Sequence, residues 1–327
     1  MITSISYSKD NGNTWTTTNN VNNKAQNLEI NVSVNEGDKV LWKGNAIQLG
    51  CFDEDAQDGI GSFFSSTCEF DAKGNVMSLL YGDNFKDKIT IEEEYAFCNL
   101  FSDYNNEKIC SIVNAKNLSL PATTLANYCY YYMFYDCTSL TTEPKLPAIT
   151  LALECYSAMF MGCTSLATAP ELPATTLAKG CYESMFDGCT SLVTAPELPA
   201  TTLASSCYGY MFQNCTGLVN APSVLPATTL ASSCYENMFN GCTSLTTAPE
   251  LPATTLVSDC YYIMFQGCTS LNYIKAMFTT TPSTNYTRDW VDGVSASGTF
   301  VKNSAASWTT TGSHGIPSGW TVQTASN

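Results

Sequence analysis

Cys155-Tyr-Ser-Ala-Met-Phe-Met-Gly-Cys163-Thr-Ser-Leu-Ala-Thr-Ala-Pro-Glu-Leu-Pro-Ala-Thr-Thr-Leu-Ala-Lys-Gly180 is one unit of a sequence that repeats. Its leading Cys recurs at 129, 155, 181, 207, 234 and 260, in steps of 26 residues with one of 27. A second Cys follows each of them eight residues later, at 137, 163, 189, 215, 242 and 268. A fixed period in this range marks a stack of units, each of which buries its apolar face only against its neighbours. Such a stack offers an extended repetitive surface more readily than one catalytic pocket.

Within the unit, Leu151, Cys155 and Met159 fall at i, i+4 and i+8, which predicts one face of a short helix. Gly162, Gly188, Gly241 and Gly267 stand where a left-handed C-terminal residue would end it, and Asp136 and Asn214 replace Gly there. Leu166 to Leu172 reads as a short strand, with Pro170 and Pro173 holding the backbone extended, and Thr175 or Thr176 is placed to cap the next helix. The expected fold is an α/β solenoid, one short strand and one short helix per coil. Its strands form a parallel sheet on one side.

Working outward, residues 89–277 make the repeat solenoid, opened by a degenerate coil in which Ala96-Phe-Cys-Asn-Leu-Phe aligns with Cys129-Tyr-Tyr-Tyr-Met-Phe. Residues 1–88 carry alternating apolar residues at Ile2–Tyr7, Leu28–Val34 and Lys39–Trp42, which predict a small sandwich-like all-β domain serving as anchor or spacer. The apolar strip from Asn75 to Asp83 leads into the solenoid as its cap. Residues 278–327 hold Trp290, Trp308 and Trp320, a residue type absent from the repeats, and form a β cap through Gly298–Lys302 and Gly319–Val322.

Twelve of the sixteen cysteines occupy the two repeat columns. Helices packed ~8–10 Å apart would hold the first column beyond disulfide reach, so these thiols are expected to be reduced core residues. Cys51, Cys68, Cys98 and Cys110 stand outside the columns, and Cys51–Cys68 is the pair to check for a disulfide. Zinc would want CxxC pairs or histidines, and His314 is the single histidine.

The net charge of −15 divides as −8 before Ser119, −8 from there through Leu271 and +1 beyond. Scattered single Lys and Arg argue against nucleic-acid binding and against an anionic membrane surface. No run approaches the ~20 apolar residues of a membrane span. Met1–Asp10 has neither a charged nor an apolar signal region, so the expectation is either that the chain is trimmed from a longer one or that it reaches the outside by another route, such as release inside a virus particle.

Candidate chemistry is sparse. With His314 in a surface loop, a nucleophile–base pair is not expected. Glu171, Glu197 and Glu250 recur at one strand position, where Lys145 stands in the first full unit; this reads as a solvated face. Asp53–Gly59 could hold calcium but misses the EF-hand pattern, since Phe64 occupies the position of the closing Glu. No cofactor and no metal are expected. The tyrosine column (130, 156, 182, 208, 235, 261) could offer sugar platforms, but packing between coils is the preferred reading. Recognition is better sought where the unit varies: Tyr132, Tyr135, Glu183, Asp187, Tyr210, Gln213, Glu236, Asn240, Tyr262 and Gln266 are the candidate ligand-binding residues.

The Met-Phe-x-Gly-Cys-Thr-Ser-Leu-x-x-Ala-Pro-x-Leu-Pro stretch, over about residues 95–275, resembles the BspA-like leucine-rich repeat, with Met133-Phe134 and its five equivalents where that family has Ala-Phe. The resemblance implies an adhesin-like role, as on surface proteins of gut and oral anaerobes and in proteins of their phages, and it supplies no catalytic residues. Ser8-Lys-Asp-Asn-Gly-Asn-Thr-Trp15 is similar to the Asp-box hairpin of sialidases; a single copy indicates a well-made turn. These readings converge on a non-enzymatic recognition protein at a virion surface, a phage fibre or decoration protein. Its expected partners are other virion proteins or a bacterial surface protein or glycan, with a homo-oligomer as a further assembly compatible with the reading. The alternatives are a bacterial surface adhesin and a carbohydrate-active enzyme using paired carboxylates.

Overall fold

The computed structural model describes residues 4–19, 30–45, 64–102 and 111–325. Strand β1 (Ser4–Ser8) lies between β2 (Thr16–Asn19) and β3 (Leu41–Gly44), antiparallel to both. Among the described residues these strands form one three-stranded sheet in the order β2-β1-β3. The predicted strand at Leu28–Val34 lies partly outside the described residues, and its described part has no regular structure. The strip at Asn75–Asp83 is a short helix, α1 (Ser78–Tyr81), because Met77, Leu79 and Leu80 must all turn inward at once.

Strand β4 (Phe70–Asn75) pairs in parallel with β5 (Ile112–Ser119), and the stack of units builds on β5. Trp42 and Phe64, then Phe64 and Phe101, carry the core from the small sheet into the stack with ring centroids 5.1 and 6.0 Å apart. Successive units bridge at equivalent residues: Asn114 to Thr142, Ser119 to Lys145, Thr194 to Asn220 and Thr247 to Tyr273. The predicted parallel sheet is thereby reduced, over the repeats, to isolated bridges. Each unit has Ala-Pro-x-Leu-Pro or a near equivalent there, and a proline has no N–H to continue a ladder. Continuous pairing returns where that motif ends, in parallel strands β6 (Tyr273–Ala276), β7 (Thr299–Lys302) and β8 (Thr321–Thr324).

Among the described residues the repeats hold none of the predicted helices. In their place each unit makes a run of consecutive tight turns. Along Glu154–Cys163, the N–H groups of Glu154, Tyr156, Ala158, Phe160 and Gly162 donate to carbonyls of the next unit. Those of Cys155, Ser157, Met159, Met161 and Cys163 donate three residues back within their own unit. Left-handed residues stand every fourth position, at Glu154 (φ 47°), Ala158 (φ 51°) and Gly162 (φ 76°). The i, i+4, i+8 apolar spacing fits this four-residue turn as well as a helix of 3.6, and the hydrogen bonds between units decide between them. Thr176 consequently caps no helix; it bridges Thr202.

Hydrogen-bonded units stand at strand-like spacing, ~4.8 Å. The tyrosine rings stack with centroids 5.5–5.9 Å apart from Tyr130 to Tyr261. A second file of phenylalanines runs beside them from Phe101 to Phe265 at 5.2–5.6 Å. Both files are buried, so the tyrosine column is core. The same spacing removes distance as the reason for reduced thiols, since units this close fall within disulfide Cα reach. All twelve repeat cysteines are buried thiols. Burial pushes those thiols up wherever a shift is resolved, which disfavours the thiolate that starts disulfide exchange. Cys98 is a buried thiol and Cys68 an exposed one; Cys51 and Cys110 lie outside the described residues.

The turn run continues past the last recognisable repeat. Ile263, Phe265 and Gly267 donate to Arg288, Trp290 and Asp292, and Asp289 (φ 50°) and Gly293 (φ 72°) take the left-handed positions. Trp290 then covers the end of both ring files, 6.1 Å from Tyr261 and from Phe265.

Candidate functional site

Every unit exposes two surfaces: the bridge side, with its prolines, and the outer side of the turn run. The ten predicted residues all belong to the turn run. Nine are half-buried and Asp187 is buried. Tyr135, Asp187, Gln213, Asn240 and Gln266 form one file, since each stands six residues after its leading Cys. Asn240 Nδ2 donates to Gln266 Oε1 (3.3 Å) and Gln266 Nε2 to Asp292 Oδ2 (3.4 Å), so this file is tied across three units. Asn214 Nδ2 donates to Asp187 Oδ1 at 3.3 Å, yet burial still pushes the Asp187 carboxyl up to about 6.

The second file holds Glu183, Gly209, Glu236 and Tyr262. Tyr210, beside Gly209, donates its hydroxyl to Glu236 Oε1 at 2.9 Å. Glu183 is pushed up to about 7, first by burial and then by the charges of Glu154 and Glu236, against which Lys179 acts only in part. Glu154 was not among the predicted residues. It precedes its Cys rather than following it, and only the stacking brings it against Glu183. Glycine makes the space: a Cβ at Gly180 would lie 2.8 Å from Glu154 Cγ and 3.1 Å from Glu183 Oε2.

At the start of the stack the face is aromatic. Tyr95 and Tyr128 stack at 4.6 Å and 3°. Tyr131 meets Tyr128 edge-on at 5.9 Å, Tyr132 meets Tyr131 at 4.2 Å, and Tyr135 meets Tyr132 at 5.0 Å. Tyr132 and Tyr135 were predicted; Tyr95, Tyr128 and Tyr131 complete the cluster.

Other candidates resolve differently. On the bridge side Glu250 pairs with Lys275 at 2.8 Å, while Glu171 and Glu197 are exposed. Asp289, Ser313 and His314 lie together, but the Asp289 N–H and the Ser313 hydroxyl both meet Nδ1 of His314, at 3.3 Å. A relay needs the two ring nitrogens to serve different partners. The predicted calcium loop Asp53–Gly59 lies outside the described residues. Among the described residues no group of three or more His, Cys, Asp and Glu is arranged to hold a metal, and no helix is long and apolar enough to cross a membrane.

The Ser8–Trp15 hairpin is tied as its sequence predicts. Asp10 accepts from the Thr14 N–H (2.9 Å), the Thr14 hydroxyl (2.6 Å) and the Ser8 hydroxyl (2.7 Å), and those bonds hold it down to about 2. Asn11 and Gly12 take the positive φ of the turn, and Trp15 Nε1 donates to Gly12 O at 3.0 Å. An open cleft of ≈ 300 Å³ beside it is lined by Tyr7, Ser8, Lys9, Asp10, Thr14 and Thr16. Asp10 is the one carboxylate in that lining.

No family model and no curated protein matches the chain. Among solved structures, a leucine-rich repeat protein from Bacteroides ovatus ATCC 8483 aligns with 86% of this chain and 95% of its own, at 12% identity and a TM-score of 0.22. The reading of a repeat fold rests on the hydrogen bonds between units, and that low score adds nothing to it.

Proposed function

We propose that this chain is a non-enzymatic recognition protein, a solenoid of the BspA-like kind that displays the outer face of its turn run to a partner. The observation that carries the reading is the contrast between constant and variable positions. Within each turn run the Cys, Tyr, Met and Phe positions barely change from unit to unit and are buried. The positions between them change freely, and although Ser157, Ala158, Asp187, Gly209 and Asn237 are buried, most of them are half-buried. A repeat that had only to stack would not need that variation. We place the protein on a phage particle, as a fibre or decoration protein, with the small N-terminal sheet toward another virion protein and the stack toward the bacterial surface, protein or glycan.

The test is binding of the labelled full chain to whole anaerobic gut bacteria and to a glycan array, beside a Tyr132→Ala/Tyr135→Ala variant. Saturable binding weakened by the variant is expected. Saturable binding that the variant leaves unchanged would remove the turn-run face from the reading. Mass spectrometry of purified particles from a phage encoding the chain tests the location: its absence from them would overturn the virion assignment.

A further inference from the structure

The stack of units has two ends, and they are finished differently. At the opening end β4 carries Asp71 and Lys73, paired at 3.0 Å, and its pairing with β5 shifts register twice between Phe70 and Lys73. Charges and irregularities of that kind keep an edge strand from pairing with another chain. At the closing end β8 reads Thr321-Val-Gln-Thr324. It has no charge, no proline and no register shift against β7, and β-branched residues fill three of its four positions.

All four residues of β8 are exposed, Val322 at 45%. The parallel register with β7 decides which main-chain groups point outward. The Thr321 N–H donates to Gly298 O at 2.9 Å and the Ala325 N–H to Lys302 O at 2.8 Å, so residues 321, 323 and 325 turn their peptide groups to β7. Val322 and Thr324 turn theirs away, and among the described residues no strand pairs with that edge. Such a row of N–H and C=O groups is a template for one more strand.

Charge selects the occupant. The chain carries −8 before Ser119 and −8 from there through Leu271, whereas residues 278–327 balance Arg288 and Lys302 against Asp289 and Asp292. Two copies repel one another through either acidic part and approach without that repulsion only by this end. Guarded β4 makes a poor second half for a head-to-tail contact, which leaves a two-fold pairing of β8 with itself. With the axis at Gln323, Val322 stands opposite Thr324 of the partner subunit, each such pair exchanging both of its N–H···O bonds.

We infer that two copies of this chain join end to end through antiparallel pairing of their β8 strands, merging the β6–β8 sheets of both copies into one and pointing the two stacks in opposite directions. This is independent of what the outer face of the turn run binds.

Sedimentation velocity of the full chain over roughly 5–300 µM is the test, since so short an edge makes a weak contact. A reversible equilibrium between one copy and two, with nothing larger, is expected. Val322→Pro removes an outward N–H and leaves the bonds to β7 in place. Gln323→Lys sets like charges opposite one another at the axis. Each should weaken the dimer about tenfold. Gln323→Glu should do the same, and an equimolar mixture of Gln323→Lys with Gln323→Glu should restore it, which misfolded variants could not do. Thr201→Lys adds the same charge at an exposed position in mid-stack and should leave the dimer unchanged. A chain that stays monomeric across the range would overturn the proposal, as would a dimer indifferent to both Val322→Pro and Gln323→Lys. Growth beyond two copies would overturn it in favour of head-to-tail assembly.

Discussion

The thiol of Cys189 donates to the main-chain carbonyl of Phe160, 29 residues earlier, at 3.1 Å. The same carbonyl accepts the N–H of Cys163 within its own unit, also at 3.1 Å. The relationship recurs from Cys163 with Phe134 to Cys268 with Phe239. The second cysteine column is thus a file of small buried side chains that each fasten one unit to the unit before. A side chain there must be apolar enough to bury and able to donate, and Cys meets both conditions.

Cys189→Ala keeps the burial but removes the sulfur and its hydrogen bond. It should destabilise the protein by about 1–2 kcal/mol. Denaturant unfolding checks this: the midpoint should fall with an unchanged slope.

Alkylation under native conditions should modify Cys68, which is exposed, and spare the twelve repeat thiols until denaturant is added. Peptide mapping after brief iodoacetamide treatment distinguishes the two groups. Rapid native labelling of any repeat cysteine would contradict a closed stack.

The hydroxyls of Tyr130, Tyr156, Tyr182 and Tyr235 are buried with no protein partner among the described residues. Removing one should therefore cost nothing. Tyr182→Phe is expected to leave stability unchanged or raise it by up to about 1 kcal/mol. The opening coil already tolerates the change, because Phe97 occupies the column and stacks on Tyr130 at 5.6 Å.

Ile263 is β-branched and sits at φ 56°, where neighbouring units have residues such as Asn237. Left-handed backbone costs such a residue more than it costs Asn. Ile263→Asn should raise stability by about 0.5–1 kcal/mol, read as an upward shift in melting temperature.

Glu183 is held at about 7 against an ordinary 4.5. Between those values the folded chain binds more protons than the unfolded one, so stability falls as pH rises through that window, and the loss is complete above it. Asp187, raised to about 6 from 3.8, acts in the same direction from a lower pH. The melting temperature should drop between pH 5 and pH 8, and Glu183→Gln should flatten that drop. An unchanged profile in the variant would rule out Glu183 as its source.

Much of the interior was legible without coordinates. The 26-residue step named the core columns, because a side chain that stacks on its own equivalent must keep its type. Gly162 and its equivalents at Asp136 and Asn214 were read as left-handed, and they are, since only small or self-bonding residues take that conformation cheaply. The helix was not legible as wrong: apolar residues at 151, 155 and 159 satisfy a helix and a chain of four-residue turns alike.

By itself the sequence determined the period, the buried columns, the opening coil at Ala96–Phe101 and the tied hairpin at Asp10, because each depends on local chemistry or on repetition along the chain. Tertiary structure alone decided that the N–H groups of Glu154 and Ala158 leave their own unit for the next, that Trp290 ends the ring files, and that Glu154 meets Glu183 while Tyr210 meets Glu236. Those contacts join residues roughly one unit apart. Their partners are set by how the units register against one another, and that register is a balance of hydrogen bonds between units that no single unit contains.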